Sequence, residues 1–275
     1  MRKDAIIGTP ITPAALLDQL VGRSFCVSFA ARNHGIGDVG QGRQLDRLIQ
    51  IVGRDGMLLV DNGAFSAWTK GIEIDWREFE TWAAAIARVC PQAIIVAPDV
   101  IDGSEDENNE LLTDFIGGMG MEHDVDIERI MPVWHMHESL RRLEYLAESY
   151  QFLAIGSSGE FADPKTKAWA ERIREAWSVF DELEATGAYR RPHVHMMRAQ
   201  QQHTAFDFDS SDSTNVARNH CRYKGQPWHV GAFAARLQSK VSLTSDGIQR
   251  IETPAEQAAI LDELRNLLKR GFSNA

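Results

Sequence analysis

A short apolar run that ends in a carboxylate, Leu58-Leu59-Val60-Asp61, followed at once by Asn62-Gly63, constrains this chain more than any other feature. Continuous apolar runs of this length suit strands buried on both faces of a parallel sheet, and Asn-Gly then turns the backbone sharply. The arrangement delivers one carboxylate to the mouth of an α/β fold. It recurs in Ile94-Ile95-Val96-Ala97-Pro98-Asp99, Val133-Trp134-His135, Leu153-Ala154-Ile155-Gly156 and Phe206-Asp207-Phe208-Asp209-Ser210-Ser211-Asp212. If these strands close into one barrel, all their polar ends converge on a single site.

Between the strands lie helix-period stripes. Leu45, Leu48, Ile49 and Val52 mark one helix, and Phe79, Trp82, Ile86 and Val89 mark a second after the N-cap Asp75. Leu140, Leu143, Leu146 and Tyr150 mark a third, and Trp169, Ile173, Trp177 and Phe180 stripe a long fourth whose tryptophans read as core. Strands are expected at residues 24–31, 56–61, 93–99, 130–136, 152–156, 193–199 and 205–212, with a further one near 228–232 or 240–243. Residues 1–23 read as an irregular or short helical lead-in, and 254–270 as a closing helix. The expectation is one (β/α)8 barrel domain over residues 1–275.

The 275 residues suffice for one large core. No apolar run approaches the roughly 20 residues that span a bilayer, and the N-terminus lacks a signal-peptide core, so a cytoplasmic protein is expected. Cys26, Cys90 and Cys221 are odd in number and far apart, which suggests neither a disulfide framework nor a cysteine-pair zinc site. The net charge of −10 argues against a nucleic-acid binder held by charge alone. A local basic strip remains available from Arg198, Arg218, Arg222 and Lys224.

Asp61, Asp99, Asp209 and Asp212 are the strand-end acids. Paired carboxylates suit chemistry at a sugar anomeric carbon, where one attacks or stabilises the cationic centre and the other moves a proton. His135 and His137 share a strand face, as do His193 and His195. Such pairs bind substrate or fill a barrel more often than they hold metal, and no metal or cofactor is expected. Gly156-Ser157-Ser158-Gly159 offers either backbone N–H groups to a flat heterocycle or a simple tight turn.

In order along the chain, these motifs resemble those of the queuine/archaeosine tRNA-guanine transglycosylase superfamily. The family's Asp-Ser-Gly-Gly-Phe-Gln is similar to Asp61-Asn62-Gly63-Ala64-Phe65-Ser66, and its substrate-binding strand-end aspartate to Asp99. Its Val-Gln-Gly-Gly strand falls at Val133-Trp134-His135, and its Ala-Ile-Gly-Gly-x-x-x-Gly-Glu at Ala154 to Glu160. Its Phe-Asp-x-x-x-Pro-Thr-x-x-x-Arg-Asn resembles Phe208 to Asn219. The chain departs in lacking the family's Cys-x-Cys-x-x-Cys zinc cluster, and in carrying His135 where the family has a base-reading Gln. It looks more like the shortened relatives in phages and bacterial modification islands that exchange guanine in DNA for a 7-deazaguanine, whose Ser-x-Asp-Ser-Thr fits Ser210-Ser211-Asp212-Ser213-Thr214.

The resemblance implies a barrel without the zinc subdomain and a double displacement. Asp212, or by the other alignment Asp209, attacks C1′; Asp212 is preferred because it sits nearest the strand end. Asp61 moves protons for the leaving and incoming bases. Asp99 binds the base's N1–H and 2-amino donors. Asn62, Gly63, His135, Gly156 and Ser157 complete the base site, and Phe65 or Met196 stacks on the base. The implied partners are DNA, or tRNA, and a 7-deazaguanine base, with the target nucleotide flipped out or single-stranded. The same fold also admits tRNA exchange, N-glycoside hydrolysis, or an inactive nucleic-acid-binding subunit of a modification complex. A homodimer is likewise left open.

Overall fold

The computed structural model describes residues 3–32, 41–54, 56–203, 205–220 and 229–242. Among the described residues nine short strands follow in chain order: β1 (Asp4–Gly8), β2 (Phe25–Ser28), β3 (Leu58–Asp61), β4 (Ala93–Val96), β5 (Ile130–Met131), β6 (Val133–His135), β7 (Phe152–Gly156), β8 (His193–Met196) and β9 (Ser210–Ser213). They hydrogen-bond in the order β5-β4-β3-β2-β1-β9-β8-β7-β6, and every pair is parallel.

The two ends of that order, β5 and β6, are separated in the chain by Pro132 alone. Proline has no N–H to give the ladder, so the strand breaks there. Its neighbours still pair on both sides: Met131 O accepts from Ala97 N at 2.9 Å, and Pro132 O from Ala154 N at 2.9 Å. The halves are one stave, the sheet comes round on itself, and the result is an eight-staved (β/α)8 barrel.

Side chains alternate across the staves. Ile6, Leu59, Ile94, Val96, Met131, Val133 and Ala154 fill the barrel interior. Their neighbours Phe25, Val27, Leu58, Val60, Trp134, Leu153 and Val194 pack outward against the helices. The helices are α1 (Gln41–Ile51), α2 (Ala64–Lys70), α3 (Trp76–Val89), α4 (Glu105–Gly117), α5 (Leu140–Ser149) and α6 (Lys167–Ala185), with a short α7 (Asn215–Asn219) and α8 (Val230–Ser242) after β9; α1, α3, α5 and α6 carry the four expected stripes. Asp75 caps α3 by accepting from Glu78 N at 3.0 Å. Trp169 and Trp177 are buried in the helix-side core.

Two expectations are corrected. The lead-in over residues 1–23 contains β1, whose Ile6 and Ile7 pair with β9 and whose Ile7 and Gly8 pair with β2, followed by a 3-10 helix, Ala14–Leu20. The strand sought at 228–232 or 240–243 is instead helix α8 wherever it falls on described residues. Gln238 of α8 accepts from Ala5 N at 3.0 Å and donates to Lys3 O at 2.7 Å, so α8 packs on the stave that β1 supplies. The closing helix expected at 254–270 lies outside the described residues. No helix among the described residues is long and apolar enough to cross a membrane.

Candidate active site at the carboxyl-terminal mouth

β3 ends at Asp61, and the turn after it is built by its two neighbours. Gly63 has φ 81°, and a Cβ there would lie 2.7 Å from both the N and the Cβ of Ala30, so no other residue fits. Asn62 accepts from Ala64 N at 2.8 Å and donates to Asp99 Oδ1 at 2.6 Å. His135 Nε2 lies 2.8 Å from Asp99 Oδ2. Three staves are thereby linked through Asn62, Asp99 and His135.

His135 is itself held from behind. Its backbone N–H donates at 2.8 Å to Glu138, a buried carboxylate that also receives Arg142 at 2.6 Å and Asn108 at 2.9 Å. Its Nδ1 has no partner among the described residues and faces Gly156, where a Cβ would approach it to 3.0 Å. A cavity of about 250 Å³ opens here. Of the nominated residues, Asp61, Asn62, Phe65, Asp99, His135, Gly156, Ser157 and Arg198 line it. The Ser157 hydroxyl accepts from Trp169 Nε1 at 2.8 Å. His137 is used differently, tying Ser158 Oγ (2.7 Å) to Gly103 O (3.0 Å).

Met196 is not in the cavity: it falls on the outward face of β8 within the helix-side core, and Met197, on the inward face, lines the cavity. Ile101, Ala162 and Pro164 also line it. They come from loops after β4 and β7, where no periodic signal marks a lining residue.

The two candidate nucleophiles part company. Asp212 is inward-facing on β9; its Oδ1 accepts from Arg198 N at 2.8 Å and lies 3.4 Å from His195 Nε2. Asp209 precedes β9 by one residue, three positions and roughly 10 Å of extended chain away. It accepts from Val194 N at 2.9 Å and lines an opening with Arg191 and His193 at the amino-terminal end of β8. Asp209 is therefore remote from Asp61, Asp99 and the cavity.

Arg198 has φ 64°, and its guanidinium carbon sits 3.4 Å from the centroid of the Phe65 ring, a cation–π contact at the cavity rim. Arg218 is exposed on α7; Arg222 and Lys224 lie outside the described residues. His193 and His195 both bond Ser210 inside the barrel. Among the described residues, one cluster, Glu80, Glu122 and His123, could gather round a metal ion. It sits on α3 and just beyond α4, and Arg77 already pairs with both Glu80 and Glu122.

The carboxylates at the mouth are pushed in opposite directions. Burial raises Asp61 above the usual aspartate range, against a hydrogen bond from Ser28 and the charge of Arg198, with the negative Asp212 adding to the rise. Burial also acts on Asp212, but the N–H groups of His195 and Arg198 and the charge of Arg198 outweigh it and hold that carboxyl below the usual range. Cys26, on a stave between theirs, has its thiol raised by burial, then by Asp61 and Asp212. Acids whose environments separate their proton affinities can take different roles in one reaction.

No family model matches the chain, and no curated protein matches it. Among solved structures, it is similar to the tryptophan synthase alpha chain of Legionella pneumophila (11% identity, 90% of this chain and 94% of that one, TM-score 0.48). It is also similar to tryptophan synthase subunit alpha of Campylobacter jejuni (11%, 88% and 95%, TM-score 0.43). A third likeness is to dihydrodipicolinate synthase of Oceanobacillus iheyensis (12%, 99% and 98%, TM-score 0.39). Likenesses this distant say nothing about chemistry. The barrel rests on its own closed strand order, and its chemistry has to be read from the groups at its mouth.

Proposed function

We propose that the protein is a base-exchange glycosyltransferase that replaces guanine in DNA with a 7-deazaguanine derivative through a covalent aspartyl-sugar intermediate. One observation carries the reading: Asp61, which lines the cavity with Asp99 and Gly156, lies within electrostatic reach of the inward-facing Asp212, and the two carboxyls are shifted in opposite directions. Carboxylates pointing apart would have favoured a binding module without catalysis.

Asp212, ionised, gives an electron pair to C1′ while the C1′–N bond breaks, and the departing base takes the proton that Asp61 holds. The incoming base then returns a proton to Asp61 and attacks C1′, and the C1′–O bond breaks to restore Asp212. Asp99 already accepts one hydrogen bond on each oxygen, from Asn62 and His135. A carboxylate has about four acceptor positions, so one on each oxygen is left for the paired N1–H and 2-amino donors of a guanine. The cavity is at the small end of ligand sites, suited to a flipped-out base and not to a longer stretch of nucleic acid. Phe65 at its rim offers a ring face. A cytoplasmic setting, where DNA and free bases meet, goes with this activity.

The test is incubation with guanine-labelled DNA and guanine-labelled tRNA, each with and without 7-deazaguanine bases. Guanine release from DNA that requires the added base is expected. Release from tRNA alone would make it an RNA enzyme, release without an added base a hydrolase, and no release from either would refute the reading.

A further inference from the structure

We propose that a hydrogen-bond chain of fixed direction inside the barrel, His193 to Ser210 to His195, positions Asp212 so that Oδ2, and not Oδ1, attacks the sugar. The attack on the sugar rests on the base-exchange reading; the direction of the chain does not.

His193 and His195 alternate on the inward face of β8, and His195 is the register partner of Ser210 on β9. All three are buried. Ser210 Oγ lies 2.7 Å from His193 Nε2 and 2.8 Å from His195 Nδ1. A hydroxyl carries one proton and donates to only one of the two. The other end of His195 decides which. Its buried Nε2 makes no formed hydrogen bond among the described residues, and the polar atom it faces is Asp212 Oδ1 at 3.4 Å. An ionised carboxylate only accepts, so the imidazole proton belongs on Nε2. Nδ1 is then the acceptor for the Ser210 proton, and Ser210 oxygen accepts from His193 Nε2–H. Burial drives His193 down to about 3, so His193 stays neutral and supplies a single N–H. The reverse direction, with neutral rings, would set the lone pairs of His195 Nε2 and Asp212 Oδ1 against each other.

Oδ1 of Asp212 therefore accepts from Arg198 N–H at 2.8 Å and faces His195 Nε2–H at 3.4 Å, longer than a formed hydrogen bond; such contacts tighten once substrate is bound. Among the described residues no hydrogen bond is made to Oδ2, whose lone pairs are left for C1′. When the C1′–Oδ2 bond forms, Oδ1 becomes the ester carbonyl and keeps both N–H groups. Those same donors stabilise the negative charge that returns when the C1′–Oδ2 bond breaks in the second half-reaction. No proton passes along the chain. His195 is a positioning residue. The charged and titratable groups facing Asp212 are His195 from β8, Arg198 beyond it, Asp61 from β3 and Cys26 from β2.

Two variants of the full chain separate positioning from packing. His195→Gln keeps an amide N–H near the place of Nε2, and His195→Leu does not. The rate of covalent adduct formation with DNA, followed against pH, falls as Asp212 is protonated. In His195→Leu the acid limb is expected to move up by about one pH unit and the plateau rate to drop about tenfold, with KM for DNA unchanged; His195→Gln should restore the limb. A limb that stays in place in His195→Leu, or moves equally in both, overturns the proposal. Nitrogen-15 NMR of the wild-type imidazoles gives a reading that needs no variant to fold and no turnover. A proton on Nε2 and none on Nδ1 is expected at both His193 and His195, and a proton on Nδ1 of His195 overturns the chain's direction. If wild-type protein forms no adduct with any nucleic acid, the base-exchange reading fails, and the NMR result still decides the direction of the chain.

Discussion

Asp61 lies within electrostatic reach of Asp212, and that negative charge, added to the larger effect of burial, raises the affinity of Asp61 for a proton. The two acids should therefore affect stability with opposite signs. Asp61, raised above its ordinary value near 3.8, favours the fold below that value and loses the contribution as pH rises through its folded value. Asp212, held lower, favours the fold above the ordinary value and loses the contribution as pH falls through its folded value. Asp61→Asn should thus be more stable than wild type in urea at pH 7, and Asp212→Asn less stable. Both differences should shrink in acid, below the ordinary aspartate value. Shifts of the same sign at pH 7 would contradict this.

Gly63→Ala should cost about 2 kcal/mol or more, because the left-handed backbone alone disfavours a side chain by about 1–2 kcal/mol and the new Cβ meets Ala30. Thermal unfolding measures it. An unchanged melting temperature would mean the turn after Asp61 is built differently.

Asp209→Ala should lower stability by about 1–2 kcal/mol by leaving Val194 N–H without its acceptor. Adduct formation should stay within about twofold of wild type once the variant is folded. Loss of the adduct in Asp209→Ala, with Asp212→Ala active, would reverse the assignment of the nucleophile.

Arg142→Met strands the buried Glu138 carboxylate, and urea unfolding should show a loss of about 3–5 kcal/mol. The double variant Glu138→Gln/Arg142→Met should recover part of it. Because Glu138 accepts from His135 N, the single variant should also weaken binding of a 7-deazaguanine base, measured by calorimetry. Intact base affinity in a folded Arg142→Met would show that His135 does not depend on this support.

Much of the barrel was legible because buried parallel staves are nearly continuous apolar runs. Leu58 to Asp61, Ala93 to Val96 and Phe152 to Gly156 need no distant partner to be recognised. β1 was not legible: its apolar stretch is only Ala5-Ile6-Ile7, and what makes it a stave is pairing with Ser210 to Ser213, about two hundred residues on. α8 was misread because the aromatic and β-branched Trp228, Val230 and Val241 are residue types of a strand, while the burial of Val230, Ala234 and Gln238 follows a four-residue period.

At the site, residue types were easier to read than faces. Asp61, Asn62, Asp99, His135 and Gly156 fall where strand-end reasoning puts them, on one cavity. Met196 and Met197 differ by one position, and a one-residue step in a strand exchanges inside for outside. Asp209 and Asp212 differ by three, which changes both face and end. Arg198 acts on Asp212 through a backbone N–H presented from a left-handed conformation, and no side-chain pattern announces that.

The most direct measurement is mass-spectrometric mapping of the protein–DNA adduct trapped during guanine exchange. The account predicts one deoxyribosyl group on the peptide that carries Asp212, absent in Asp212→Asn and present in Asp209→Ala. A sugar attached to any other residue, or guanine exchanged with no attachment at all, would contradict it.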